Sequence, residues 1–276
     1  MDKKTGIISF NAVQENLYHL LKSKDHNCEI INPMSKELLK KCIFSCERVV
    51  LPFPSVRKNL SAFGDTDDLS AFFSKHQLVI GGMLDDGIKE QFKEEGIRFF
   101  DYYTYEPYVL RNAFLTSQGV LRLLFDNTEK QAAGRNALVT GFGRIAKSLA
   151  LMLKGIGVKV SVAVRSDLQA AEAASLGFDV FRLSSLKSII FYFDFVFNTV
   201  PCRLFCRNDI KHIRDDTVYF EIASSPFGAD ESDFTYEKKK FVNASALPGR
   251  LYPKAVAENI YELILNNSEL MKGGNQ

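Results

Sequence analysis

Asn136-Ala-Leu-Val-Thr-Gly-Phe-Gly-Arg-Ile-Ala146 is the stretch whose reading decides the fold. An apolar run leads into Gly141, Phe142 and Gly143, and Arg144, Ile145 and Ala146 begin a helical pattern. Strand, glycine turn and helix in that order make a dinucleotide fingerprint. The first glycine allows the tight turn, and the second lets backbone N–H groups approach a pyrophosphate. The small Ala146 lets the helix pack close to its strand, and the positive end of the helix dipole faces the phosphates. A turn in an ordinary α/β unit is the alternative; the strand before and the helical pattern after argue against it.

The next strand bears on the cofactor. Val158-Lys-Val-Ser-Val-Ala-Val164 reads as a buried parallel strand, and its end delivers Arg165 and Ser166, with Arg165 lying 24 residues after Gly141. A dinucleotide without a 2'-phosphate usually meets an Asp or Glu there, which accepts from the ribose hydroxyls. A cation and a hydroxyl suit a 2'-phosphate instead, so NADP is expected over NAD. Asp167 leaves open a plain solvated arginine at a strand end.

Working outward, 276 residues give room for one large or two modest domains. Thirty-five Lys and Arg against 33 Asp and Glu leave almost no net charge, which gives no reason to expect nucleic acid or an anionic membrane as partner. The 23 Phe and absent Trp read as core. The first residues carry too short an apolar run for a signal peptide, and Asp194 interrupts the candidate span from Ile189 to Phe197, so a cytoplasmic protein is expected. Five cysteines at 28, 42, 46, 202 and 206 suggest no disulfide framework. Neither i, i+4 pair has neighbours to complete a metal site, so no metal is expected and the thiols are taken as buried.

Strands are expected at 6–10, 29–32, 48–52, 77–81 and 97–100, alternating with helices at 12–24, 36–42 and 86–95. Alternation of this kind predicts a parallel sheet with ligands at the strand C-terminal ends. Two such ends carry Ser55, Arg57 and Lys58 on one side and Gly81-Gly82 on the other. They could line a cleft, or be turn chemistry with solvated charges. Residues 59–70 look like an insertion. Glu106-Pro107 opens a long helix to about Phe125, and Gly119 within it implies close packing of another element. The polar stretch from Asp126 to Arg135 reads as a domain junction.

The second half is regular. Strands at 136–140, 158–164, 179–182, 193–198, 217–223 and 240–243 alternate with helices, and loops are expected at 199–201, 224–228 and 246–250. The backbones of Thr199, Val200 and Pro201 are cofactor candidates, because the loop after the fourth strand lies beside the nicotinamide ribose in such a fold. The last helix, from Lys254 to about Leu265, has no partner left in the second domain and is expected to cross back to the first.

Gly141-Phe-Gly-Arg144, Val164-Arg-Ser166, Asn198-Thr-Val-Pro201, Ala223-Ser-Ser-Pro226 and Leu247-Pro-Gly-Arg-Leu-Tyr-Pro-Lys254 together resemble the A-subunit family of dipicolinate synthase over about residues 105–265. One departure stands out: where the family has Gly-Gly-Asp after the first strand, this chain has Ser9-Phe-Asn-Ala-Val-Gln14. The resemblance implies a two-domain α/β protein. A Rossmann-type doubly wound parallel sheet, 116–251, would bind NADP. A smaller flavodoxin-like domain, 1–115 completed by 252–276, would handle substrate.

It also implies NADP-linked formation of dipicolinate from a dihydro or hydroxytetrahydro precursor during sporulation, together with a flavoprotein-like second subunit, with homo-oligomers also possible. A dicarboxylate substrate needs cations aimed at its carboxylates. Arg57 and Arg250 are therefore substrate candidates, Ser55 and Gly82 are candidates as cleft-lining strand ends and Ser225 as a polar group beside them, and Lys254 is the first choice as carboxylate ligand or acid/base. Ser224 and Asn198 are possible orienting groups. For Lys254 the alternative is an exposed first-turn lysine; for Ser224, Ser225 and Asn198 it is capping or turn chemistry. The four histidines, 19, 26, 76 and 212, all fall outside the motif loops, so no catalytic histidine is assigned. Two other functions stay open: an NADP-dependent 2-hydroxy-acid or amino-acid dehydrogenase, and a nucleotide-binding partner without redox chemistry of its own.

Overall fold

The structure, a computed structural model, describes residues 4–32, 36–53, 69–129 and 131–266. Two compact units divide the chain, Met1–Arg111 with Tyr252–Gln276, and Asn112–Leu251.

In the first unit, β1 (Thr5–Ile8), α1 (Ala12–Ser23), β2 (Cys28–Ile31), α2 (Lys36–Phe44), β3 (Arg48–Val50), β4 (Leu78–Gly81), α3 (Asp86–Glu94) and β5 (Arg98–Asp101) alternate along the chain. The five strands are all parallel in the order β2-β1-β3-β4-β5, the flavodoxin-like arrangement. Strands buried on both faces read as near-continuous apolar runs, and β4 (Leu-Val-Ile-Gly) is buried along its whole length. On one face Val49, Val79 and Phe99 pack with Leu39, Ile88 and Phe92 from α2 and α3.

The long helix α4 (Glu106–Asp126) follows. The boundary between the units falls at Arg111, within this helix, and the polar stretch 126–135 lies inside the second unit. The physical reason is packing: Val120 and Leu124, four residues apart on α4, are fully buried in the second unit's core. A continuous helix can pass from one core to another without a polar linker.

The second unit then runs β6 (Asn136–Thr140), α5 (Arg144–Gly155), β7 (Lys159–Val164), α6 (Asp167–Ser175), β8 (Asp179–Arg182), α7 (Leu186–Ile189), β9 (Phe195–Asn198), α8 (Arg207–Ile210), β10 (Val218–Glu221), α9 (Glu231–Tyr236), β11 (Lys240–Asn243) and α10 (Leu247–Leu251). Its six parallel strands lie in the order β11-β10-β9-β6-β7-β8, so the connection reverses direction between β6 and β9. That reversal is the switch point of a doubly wound nucleotide fold. Alternate strand residues feed two cores: Ala137, Val139, Val162, Phe197 and Phe220 meet α4, α5 and α6 on one face. Leu138, Ala163, Val196 and Tyr219 meet Leu186, Phe205 and Phe234 on the other. Phenylalanines supply much of both layers, with Phe197 stacked on Phe220 at 4.8 Å.

Gly119 has the role that its mid-helix position implied. A Cβ there would lie 3.0 Å from Leu247 Cβ, so α10 packs directly on the α4 backbone. The same observation corrects the loop expected at 246–250: Pro248 sits early in a short helix whose Leu247 is fully buried. The final helix, α11 (Pro253–Asn266), packs on α1 in the first unit, where His26 Nε2 lies 3.3 Å from the Tyr261 hydroxyl. No described helix is long and apolar enough to cross a membrane. Of the thiols, Cys28 and Cys46 are buried, but Cys202 and Cys206 are exposed, against the expectation that all would be core. Those two lie between β9 and α8, where Cys206 Sγ is 3.1 Å from an Asp209 carboxylate oxygen.

Candidate functional site

The glycine turn is built as its sequence requires. Gly141 follows β6 with φ +81°, a left-handed conformation that costs a side-chain-bearing residue energy. Its N–H donates to the Ala163 carbonyl at 2.8 Å, and a Cβ added to it would lie 3.0 Å from both Thr199 Oγ1 and Val200 Cγ2. Gly141 is thus fixed by conformation and by the neighbouring loop together. Gly143 differs: as the N-cap of α5 it has extended backbone, and a Cβ there would meet nothing within 4 Å. It offers no side-chain acceptor to the helix, and the first turn carries no acidic residue. α1, α3 and α6 are instead capped by Asn11, Asp85 and Ser166. Open space in front of an uncapped helix N-terminus is what a pyrophosphate needs. Arg144 is exposed and Ile145 half-buried at this edge, while Ala146 is fully buried against the strand. Phe142 points away into the core at 1% exposure, edge-on to Phe178, so only its backbone can serve a cofactor.

Behind the turn lies a buried polar network centred on Glu221, at the end of β10. One carboxylate oxygen accepts from Asn198 Nδ2 at 2.6 Å and the Ala223 N–H at 3.2 Å. The other accepts from the Tyr219 hydroxyl at 3.1 Å and the Gly228 N–H at 2.9 Å. Burial pushes the Glu221 carboxyl up despite these donors. Asn198 links the network to the other loop, since its Oδ1 accepts from Thr140 Oγ1 at 2.6 Å and the Val200 N–H at 3.1 Å. Its Nδ2 also reaches the Val200 carbonyl at 3.1 Å. Thr199 Oγ1 in turn donates to the Thr140 carbonyl at 2.7 Å. The loops after β9 and β10 are therefore tied to each other and to the end of β6.

Asn198, a candidate orienting group, lies inside this network. It has no exposure, and both ends of its amide are engaged within the protein. It shapes the loop that carries Thr199, Val200 and Pro201, of which the first two are half-buried and the third exposed. Sequence reasoning missed Glu221 and Thr140. An acid inside the apolar run Val218-Tyr-Phe-Glu-Ile222 was a legible signal, because such a group is retained only with partners.

At the other side of the switch point, Arg165 is exposed immediately after β7. The Ser166 hydroxyl is occupied as acceptor, capping α6 through the Gln169 N–H at 3.2 Å. Arg182, at the end of β8, pairs with Asp167 and was also missed.

Of the substrate candidates, Ser55 and Arg57 lie outside the described residues. Gly82 is buried, and a Cβ on it would fall 2.3 Å from the Tyr102 ring, whose hydroxyl has no hydrogen-bond partner among the described residues. Packing against this phenol accounts for the glycine. Ser224 and Ser225 are exposed in the loop that Glu221 anchors, next to the cis Ser225–Pro226 bond. Arg250 is exposed on α10 with Nη1 bonded to the Ser245 carbonyl at 3.1 Å. Lys254 is exposed in the first turn of α11. Among the described residues no group of three or more His, Cys, Asp or Glu is placed to hold a metal.

Comparison with known proteins adds to this geometry. The chain is 24% identical over 189 residues to the dipicolinate synthase A-subunit of Bacillus subtilis, covering 66% of this chain and 62% of that protein. The crystal structure of the Bacillus subtilis dipicolinate synthase A chain superposes with a TM-score of 0.82 at 17% identity, over 99% of this chain and 97% of that one. This chain resembles the dipicolinate synthase A-subunit. The matched stretch spans less than two thirds of the curated relative's length. The fold is shared more widely: apo D-lactate dehydrogenase of Escherichia coli superposes with a TM-score of 0.64 at 14% identity, over 99% and 98% of the two chains. No protein-family model matches the chain.

Proposed function

We propose that the chain is an NADP-linked oxidoreductase of the dipicolinate synthase A type, forming pyridine-2,6-dicarboxylate from a dihydro or hydroxytetrahydro precursor during sporulation. The single observation that carries this reading is the open N-terminus of α5 at Gly143, framed by the left-handed Gly141 and the clamped Thr199–Val200 loop. The likeness to the dipicolinate synthase A-subunit supplies the substrate class.

Backbone N–H groups at 143–145 would hold the pyrophosphate, Arg165 the 2'-phosphate, and the Thr199–Pro201 backbone the nicotinamide ribose. The bound dinucleotide would supply the hydride acceptor. Converting a dihydro ring to the aromatic pyridine removes one hydride and one proton; the hydroxytetrahydro form also loses water. Lys254 and Arg250 are the cations proposed for the two carboxylates, with Arg57 as a third, and Ser224 and Ser225 as polar orienting groups. A flavoprotein-like second subunit is the proposed partner.

The test is to mix the purified chain, NADP and a lysine-pathway precursor with and without that partner, following reduced cofactor and dipicolinate absorbance together. Turnover by the chain alone supports the reading. Turnover of 2-hydroxy or amino acids instead would make it a dehydrogenase of that kind. Binding of NADP with no turnover, alone or with partner, would make it a non-catalytic nucleotide-binding protein. The histidines give that last outcome some ground, since none of the four belongs to the motif loops, and His26 contacts Tyr261 and His212 the Asn208 carbonyl.

A further inference from the structure

We infer that Arg182 is a second cation of the 2'-phosphate subsite, and that Asp167 is the counter-ion which the phosphate displaces from it; this rests on the NADP reading above. β7 and β8 end level, with Val164 opposite Arg182 in the sheet register. The residue that follows β7 and the last residue of β8 therefore leave the same sheet edge side by side. Arg182 Nη1 donates to the Arg165 carbonyl at 3.4 Å, and Nη2 is paired with the Asp167 carboxylate. Its guanidinium is thus folded over the 165–167 loop, where a ribose 2'-substituent would arrive.

The Arg182–Asp167 pair is a poor match for a purely structural role. The two side chains are 51% and 92% exposed, so water screens their attraction and little stability depends on it. A phosphate monoester brings nearly two negative charges and three acceptor oxygens, against one carboxylate, and suits the guanidinium fork. It would take Arg182 from Asp167 and repel the freed carboxylate. Ser166, with its oxygen engaged to Gln169 N–H, still has a hydroxyl proton to donate to the same phosphate. An unphosphorylated dinucleotide offers only a ribose hydroxyl here and would leave the pair intact. Arg182 then discriminates between the two cofactors.

The experiment is calorimetric titration of the full chain and of Arg182→Ala, Arg182→Lys, Asp167→Ala and Arg165→Ala with NADP, NAD and 2',5'-ADP. Arg182→Ala is expected to weaken NADP and 2',5'-ADP by about tenfold or more and NAD by less than about twofold, the scale of one charge-assisted contact. Arg182→Lys, which keeps charge but loses the fork, should fall between. Asp167→Ala should tighten NADP, because it removes a competing anion. Equal effects of Arg182→Ala on NADP and NAD would overturn the inference. So would selective loss in Arg165→Ala with none in Arg182→Ala, or a weakening of NADP in Asp167→Ala. A wild-type chain that binds neither dinucleotide would instead remove the cofactor reading, and the inference with it. Thermal melts of each variant separate lost binding from lost folding.

Discussion

Two turns in this molecule follow the first strand of a parallel doubly wound sheet, and they finish in opposite ways. After β1, the chain passes through Ser9 and Phe10 to Asn11, whose side chain accepts from the Val13 N–H at 2.9 Å and donates to the Phe53 carbonyl at 2.7 Å. After β6, it passes through Gly141 and Phe142 to Gly143, which gives α5 no side-chain acceptor at all. A helix start that caps itself has already committed an N–H that an anion would use; one left uncapped keeps it for a ligand. Similar topology therefore does not make similar sites, and three residues distinguish them.

The sharpest way to break that contrast is to make the second turn resemble the first. Gly143→Asp places a carboxylate cap where the pyrophosphate is proposed to lie, into space that is empty within 4 Å of the new Cβ. Dinucleotide affinity measured by calorimetry should drop by about two orders of magnitude or more, from lost N–H donors and charge repulsion together. The melting temperature should hold or rise, since Asp caps slightly better than Gly, by a few tenths of a kcal/mol. Undiminished NADP binding by this variant would mean that the phosphates sit elsewhere.

Next in size is the clamp that stands behind only one of the two turns. Glu221→Ala would take a buried acceptor from the Gly228 N–H and the Tyr219 hydroxyl, and would leave the Ala223 N–H and the Asn198 amide with only the Asn198 and Val200 carbonyls. About 2–4 kcal/mol of unfolding free energy should be lost, read by denaturant titration. Glu221→Gln should cost less, because an amide keeps one acceptor oxygen. A loss under about 0.5 kcal/mol in the alanine variant would show that the network contributes little to holding the loops.

Much of this contrast is legible in the sequence, and what is not has identifiable causes. Gly141, Gly143 and Ala146 announce their roles because each is a local requirement: a left-handed φ, an open approach, a close helix–strand contact. Strand alternation likewise shows in short apolar runs. Asn198 is of another kind. A polar residue at a strand end looks the same in sequence whether it faces a ligand or a buried carboxylate 23 positions later, and only the register of β9 beside β10 decides. Gly82 is similar, since what packs against it is a tyrosine that follows the neighbouring strand's end. Arg182 was passed over because its meaning depends on β8 ending level with β7. The loop at 246–250 was misread because Pro and Gly signal turns, and they can also sit in a single helical turn held by one buried leucine.

Acidity sharpens the comparison along the second sheet itself. Asp194 lies at the N-terminal end of β9 and Glu221 at the C-terminal end of β10, and their carboxyls shift in opposite directions. Burial opposes ionisation of Asp194, but the Asn136 N–H and the Arg214 and Arg135 guanidiniums outweigh it and hold the group below its ordinary value. Its contribution to stability is then present above the ordinary carboxylate range and is lost as pH falls through the lowered folded value. Glu221, shifted upward by burial, contributes fully below the ordinary range and loses that contribution as pH rises through its folded value. Asp194→Asn should flatten the acid limb of a stability–pH curve, and Glu221→Gln should flatten the limb above it. Arg214 and Arg135 are more than a third exposed, so screening limits the Asp194 effect to about 1 kcal/mol. An acid limb in Asp194→Asn as steep as in the wild type would place the titrating group elsewhere.

The smallest effect is expected at the closed turn, and it tests the same idea from the other side. Asn11→Ala removes the acceptor for the Val13 N–H and the tether to the Phe53 carbonyl. A lost cap costs about 0.5–2 kcal/mol, and the half-buried site lets water replace part of both bonds, which argues for about 0.5–1 kcal/mol here. The substitution uncovers a helix N-terminus without supplying what the second turn has, a left-handed glycine held against a neighbouring loop. Dinucleotide affinity and stoichiometry should therefore stay as in the wild type while the melting temperature falls slightly. A second equivalent of dinucleotide bound by Asn11→Ala would mean that the cap alone had been keeping the first unit's turn closed to anions, and that openness of the helix start matters more than the glycine geometry around it.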